Sequence, residues 1–234
     1  MRFARSSVPA GRTPAAASSS RSLASVATLY DVHGNLPALE AVLADVPADA
    51  TILVGGDVVA GGVEPAQTLE RLRALGDRVV WIRGNADREL YPGEEGLAPP
   101  GALDATRAAL TEEQIEFLHS RPATAQLDRV LYVHASPRND VDIFTEATPE
   151  ERIAFLFEDV DADVVVCGHT HMQFDRVIGG KRVLNSGSVG MPYDEKPGAY
   201  WTLDLEHRFT PYDGAEQHEQ SRDEVLAYFT ERGL

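Results

Sequence analysis

Five short apolar runs rich in β-branched residues, SVATLY, ATILVG, RVVWIR, RVLYVH and DVVVCG, recur between residues 25 and 168 and constrain this chain more than any other feature. Each is too short for a helix, and most lack the alternation of a half-exposed strand, so they read as strands covered on both faces. Helical signals lie between them. LPALEAVLADV repeats apolar residues at helical spacing, EPAQTLERLRALG stops at a glycine, and TEEQIEFLHSRP opens with Thr111 as cap and Gln114 three residues on, closing before Pro122. In TPEERIAFLFEDV, Thr148 is the expected cap, Pro149 the first helical residue and Glu151 the partner in a capping box. Strand alternating with helix predicts an α/β fold whose first sheet is largely parallel. Further on, FDRVIGGKRVLNSGS reads as a hairpin around Gly179 and Gly180 and GAYWTLDLE as another strand, which predicts a second sheet, and SRDEVLAYFTERGL closes the chain as an amphipathic helix.

The runs share an unusual ending. Asp31 follows VATLY, Asp57 follows TILVGG, Asn85 follows VVWIRG, His134 follows VLYV, and His169 and His171 follow VVVCG. His33 stands two residues after Asp31, and alternation along an extended chain puts that pair on one side. Ligands of open α/β sheets sit beyond the carboxyl ends of the strands, where these seven side chains arrive. Imidazoles, carboxylates and one amide without a thiolate suit Mn first, with Fe, Zn, Co or Ni as alternatives, and not an iron–sulfur centre or a closed structural zinc. Seven donors exceed one tetrahedral site, so two divalent ions sharing a carboxylate are expected. The glycines beside them, in GGD, RGN and CGHTH, fit either ordinary turns or close contact with a phosphate.

Composition narrows the partners. With 21 Lys+Arg against 37 Asp+Glu the formal charge is -16, which disfavours a nucleic-acid polymer or an anionic membrane surface, yet a bound cation can still dominate a small site. No apolar run is long enough to span a bilayer, and the single cysteine, Cys167, forbids an intrachain disulfide, so a cytoplasmic location is expected. The first 25 residues hold four Arg, no acidic residue and many Ser, Ala and Pro, which reads as a disordered tail. That stretch lacks the apolar core of a secretory signal and resembles an organellar transit peptide, with an upstream misassigned start codon as an equal reading. One domain is expected over residues 26–234.

Taken in order, DVHGN, GGD, RGNAD, VH before ASPR, and GHTH followed by NSGS resemble the calcineurin-like metallophosphoesterases, in particular the small bacterial and archaeal phosphodiesterase group. The resemblance runs from about Val26 to near Glu206. It implies a two-sheet β-sandwich flanked by helices, in four layers α-β-β-α. It also implies a dinuclear centre in which Asp31, His33, Asp57 and His171 hold one ion and Asp57, Asn85, His134 and His169 the other, with Asp57 as the bridge. A small phosphodiester or phosphomonoester would be hydrolysed by a hydroxide bridging the ions, with Asn85 also orienting the phosphate.

Three further residues join the candidate catalytic set. Arg88 and Arg138 follow expected ligands closely and read either as phosphoryl clamps or as ordinary surface arginines. Asp87 reads as a turn cap or as support for a ligand. The chain departs from the family at Ala86, where many members carry a histidine credited with the leaving oxygen, so the general acid is unassigned and aryl esters should be cleaved better than alkyl esters. His119 is expected at the surface, His207 and His218 lie outside every motif and are assigned no role, and Cys167 is expected in the core. A reading from another class stands beside the enzyme: a non-catalytic metal-binding interaction module of the same fold, as in a retromer subunit that resembles this family. Self-association as a homo-oligomer is open.

Overall fold

A computed structural model describes residues 25–234. The reading of residues 1–25 as a tail falls, save for Ser25, outside the described residues. The first half runs β1 (Val26–Leu29), α1 (Leu36–Asp45), β2 (Thr51–Val54), α2 (Pro65–Arg73), β3 (Val79–Trp81), α3 (Asn85–Glu89), α4 (Asp104–Ala109) and α5 (Glu112–His119). The second half runs β4 (Thr124–Leu127), β5 (Val130–Val133), α6 (Glu150–Ile153), β6 (Val164–Cys167), β7 (Phe174–Ile178), β8 (Lys181–Asn185), β9 (Ala199–Leu203), β10 (Glu206–Thr210) and α7 (Arg222–Arg232). One five-stranded sheet has the order β10-β9-β1-β2-β3 and the other β4-β5-β6-β8-β7.

Sequence and structure differ in where the strands go. The five apolar runs do not share a sheet: β1, β2 and β3 are parallel neighbours in the first, while β5 and β6 pair in parallel in the second and continue into β8. The late strand β9 returns to the first sheet and lies antiparallel to β1. The hairpin turns at Gly179 and Gly180, both left-handed, as a two-residue connection requires.

Both faces of the central strands are buried, and alternation decides what each face meets. In β2, Ile52 and Val54 belong to the cluster that includes Leu39 of α1 and Leu69 of α2, whereas Leu53 belongs to a cluster with Tyr30, Ile82, Tyr132, Val166 and Leu184 drawn from both sheets. The second sheet turns its other face, with Val165 and Val183, towards Phe144, Ile153 and Phe157. The result is a helix–sheet–sheet–helix sandwich.

Local signals account for most helix boundaries. The Asn35 side chain accepts from Ala38 N at 3.1 Å to open α1, and capping boxes of Thr111 with Gln114 and Ser221 with Glu224 open α5 and α7. The expected helix after Thr148 is the exception. Thr148 Oγ1 accepts instead from Thr145 N at 2.9 Å, so Pro149 becomes the cap and α6 lasts four residues before a 3-10 turn at Ala154–Leu156. No helix among the described residues is long and apolar enough to cross a membrane.

Candidate metal centre

Because β1, β2 and β3 run parallel, as do β5 and β6, the segments that follow them emerge at one edge of the sandwich. Backbone hydrogen bonds then join those segments: Asp31 N to Gly56 O, His33 N to Asp57 O, and Gly168 N to His134 O. The side chains form two groups, Asp31 with His33 and His171, and Asp57 with His134 and His169, whose donor atoms within each group lie within 4.8 Å of one another. His33 Nε2 lies 3.1 Å from His171 Nε2, and Asn85 Oδ1 lies 3.2 Å from His134 Nε2, which adds Asn85 to the second group.

Asp31 and His33 do converge, but not by strand alternation. β1 ends at Leu29, and Asp31, His33, Asp57, His169 and His171 all adopt left-handed backbone conformations with φ between 50° and 66°. Such conformations are strained for residues other than glycine, and their concentration here marks positions where the side chain itself is needed. Neighbouring glycines make the crowding possible. A Cβ on Gly84 would lie 2.1 Å from Asp57 Oδ1, and one on Gly168 would lie 2.5 Å from Asp31 Oδ2.

The rings are aimed through their far nitrogens. His33 Nδ1 lies against Ala60 O, His134 Nδ1 is 2.9 Å from Gly55 O, and His171 Nδ1 is 2.7 Å from Met191 O. With Nδ1–H donating to a carbonyl, Nε2 of each ring faces the centre. His169 has no such anchor among the described residues; its backbone N–H donates to Asp31 Oδ2 at 2.8 Å.

The two carboxylates carry the electrostatic problem. Asp31 Oδ1 is buried with no hydrogen-bond partner, 3.5 Å from His171 Nε2, 3.9 Å from His33 Nε2 and 4.0 Å from His134 Nε2. Asp57 Oδ1 accepts from Ala86 N at 2.8 Å, while Oδ2 lies 3.5 Å from His134 Nε2. No lysine or arginine pairs with either carboxylate among the described residues. Burial alone would raise both carboxyls, but the surrounding imidazoles hold them below the usual range. Conversely, burial works against a charge on His134, yet Asp57 and Asp31 push it up to about 10, and burial with the neighbouring His134 lowers His169 to about 4. Two buried carboxylates, one with an oxygen that finds no hydrogen-bond partner, ringed by imidazole nitrogens are a donor set that fits divalent cations, which would take the place of an imidazolium proton.

Asp87 and Glu89 lie beneath the second group, both buried. Asp87 accepts from Asp57 N, Val58 N and Gly84 N, fixing the Asp57 turn, and burial together with the Asp57 charge raises its carboxyl to about 7. Glu89, which sequence reasoning did not single out, accepts from Asn85 Nδ2 at 3.0 Å and from Leu97 N and Ala98 N. It thereby turns Asn85 Oδ1 towards His134. Asn185 at the end of β8 was missed as well; its amide donates to Gly168 O at 2.7 Å and holds the loop carrying His169 and His171. The Asn-Ser-Gly-Ser run was the only signal for it.

The two arginines stand differently from the ligand candidates. Arg88 is held by both oxygens of Asp140, at 2.7 and 3.0 Å, and Arg138 pairs with Asp142. Ala86 is buried within the apolar cluster of the first sheet. His119 is not a free surface group, since it stacks on Tyr91 at 4.1 Å and meets Glu94 at 3.2 Å. Cys167 is buried.

Comparison with known proteins gives a consistent picture. Residues 25–208 match the calcineurin-like phosphoesterase superfamily domain. An uncharacterized protein of Methanocaldococcus jannaschii is 29% identical over 188 residues, covering 73% of this chain and 72% of that one. The phosphodiesterase YfcE of Escherichia coli (strain K12) is 28% identical over 184 residues, 74% of this chain and 84% of that one. In structure, a hypothetical protein of Pyrococcus horikoshii OT3 superposes with a TM-score of 0.71 at 22% identity, over 82% of this chain and 90% of that one.

Proposed function

This chain belongs to the calcineurin-like phosphoesterase superfamily, and from that premise we propose that it is a dinuclear metal-dependent phosphohydrolase acting on a small phosphodiester or phosphomonoester. The observation that carries the reading is Asp31 Oδ1, a buried carboxylate oxygen without a hydrogen-bond partner, surrounded by imidazole nitrogens of both groups. Two divalent ions held there would offset the charge of the phosphoryl oxygens and lower the pKa of a water towards neutrality.

The residues divide the work. Asp31, His33 and His171 would hold one ion, His134, His169 and Asn85 the other, and Asp57, whose charge acts on His134, His33 and His169, would serve both. The backbone carbonyls behind His33, His134 and His171 hold those rings in place, so little reorganisation remains when substrate arrives. Asp87 positions Asp57, and Glu89 fixes which end of the Asn85 amide faces inward. Arg88 and Arg138 line the approach on the His134 side with their charges already answered by carboxylates, so they shape that wall more than they attract phosphate. With Ala86 buried, no side chain is assigned to protonate the leaving oxygen.

Hydrolysis of bis(p-nitrophenyl) phosphate and p-nitrophenyl phosphate, with Mn2+ and with Mn2+ plus chelator, tests the reading. Turnover that requires the metal and stops on chelation is expected. No turnover with Mn, Fe, Zn, Co or Ni would overturn it and leave the non-catalytic module.

A further inference from the structure

On the His134 side of the centre lies a separate cavity of about 230 Å3, around which stand Arg83, Arg88, Thr124, Ser136 and Arg138. Three arginines lining one small space are unexpected in a chain of formal charge -16. Two of them are neutralised within the wall, Arg88 by Asp140 and Arg138 by Asp142. Arg83 is different. It forms no ion pair among the described residues, only its Nη1 finds an acceptor, His119 O at 2.9 Å, and its Nε is buried with none.

An arginine with its charge unanswered and its Nη2 without an acceptor is prepared for a ligand anion, and its planar fork matches a phosphate. His134 lines the same cavity, so an anion bound there adjoins the phosphoester centre and fits a second phosphate of the same molecule. Resting on the function proposed above, the geometry points to this cavity as the seat of a second, non-reacting phosphoryl group held by Arg83. The substrate class is then esters or anhydrides bearing at least two phosphoryl groups, rather than phosphate esters of a neutral alcohol. Arg88 and Arg138, the arginines apparent from motif spacing, frame the seat, and Arg83, in the strand-end run VVWIRG, reads the ligand.

Calorimetric titration of the Mn2+-loaded protein with AMP and with ADP, which differ by one phosphoryl group, tests this. The wild type should bind ADP at least about tenfold more tightly, and Arg83→Gln should reduce that preference to below about threefold. Thr124→Asp, which sets a carboxylate at the exposed rim of the same cavity, should reduce it too. This second variant carries the test if loss of the His119 contact prevents Arg83→Gln from folding. Equal affinities for AMP and ADP in the wild type, or a preference intact in the folded variants, would overturn the proposal. Because binding is read and not turnover, absence of phosphohydrolase activity would refute the proposed function and leave this result standing.

Discussion

The two ligand groups have similar charge and different scaffolding. Each sets one buried carboxylate among imidazoles, and each carboxylate raises one ring, Asp31 acting on His171 and Asp57 on His134. Each carboxylate has one oxygen taken by a backbone N–H, Asp31 Oδ2 by His169 N and Asp57 Oδ1 by Ala86 N, but the other oxygen of Asp31 is buried and orphaned, whereas the turn that carries Asp57 is also fixed by Asp87. The second group rests on two supporting carboxylates, Asp87 and Glu89, while the first leaves a buried carboxylate oxygen bare. Supporting carboxylates thus set geometry before a cation arrives, and a bare carboxylate oxygen marks where the cation is indispensable.

Variants can break or sharpen that contrast. Asp57→Asn keeps the shape but removes the charge expected to serve both ions, so turnover should fall by at least about a hundredfold and metal content should drop. Full metal by elemental analysis together with wild-type turnover would contradict it. Next, His134→Ala should weaken the second ion by about tenfold to a hundredfold, and His169→Ala, which removes a ring lacking a carbonyl anchor, should weaken it less. Equal effects in metal titrations would mean that the anchor behind His134 does not matter. Glu89→Gln should cost the second ion about tenfold in affinity while leaving the first near its wild-type value, since only Asn85 loses its support. A parallel loss at both ions would instead show a general structural role.

The pH dependence is the smallest effect and has a definite sign. In the metal-free protein burial opposes protonation of His134, but Asp57 and Asp31 outweigh it and raise the ring to about 10, so at neutral pH it carries a proton that a metal must displace. Affinity of the second group should therefore rise with pH up to about 10, and binding near pH 7.5 should release about one proton. Calorimetry in buffers of different ionisation enthalpy measures that proton; none released would contradict the assignment.

How much of this was legible in the sequence follows from the range of each cause. The strand runs, Asn85 and the Asp and His residues are local signals, because apolar covering and polar strand ends are written in consecutive residues. The division of the strands between two sheets was not legible, because β5 and β6 carry the same doubly buried pattern as β1 to β3 and only long-range pairing separates them. The left-handed conformations at Asp31, His33 and Asp57 were hidden for another reason: these residue types do not announce them as glycine does. Glu89 and Arg83 looked like ordinary charged residues until the fold enclosed one and left the other unanswered. Thr148 misled because a nearer donor, Thr145 N, captured its hydroxyl.

The central claim is that the two groups form one coupled centre, and electron paramagnetic resonance of the protein loaded with two equivalents of Mn2+ tests it most directly. The account predicts a spectrum of an exchange-coupled pair, reached only at the second equivalent and lost in Asp57→Asn. The six-line spectrum of isolated Mn2+ at every loading would contradict it.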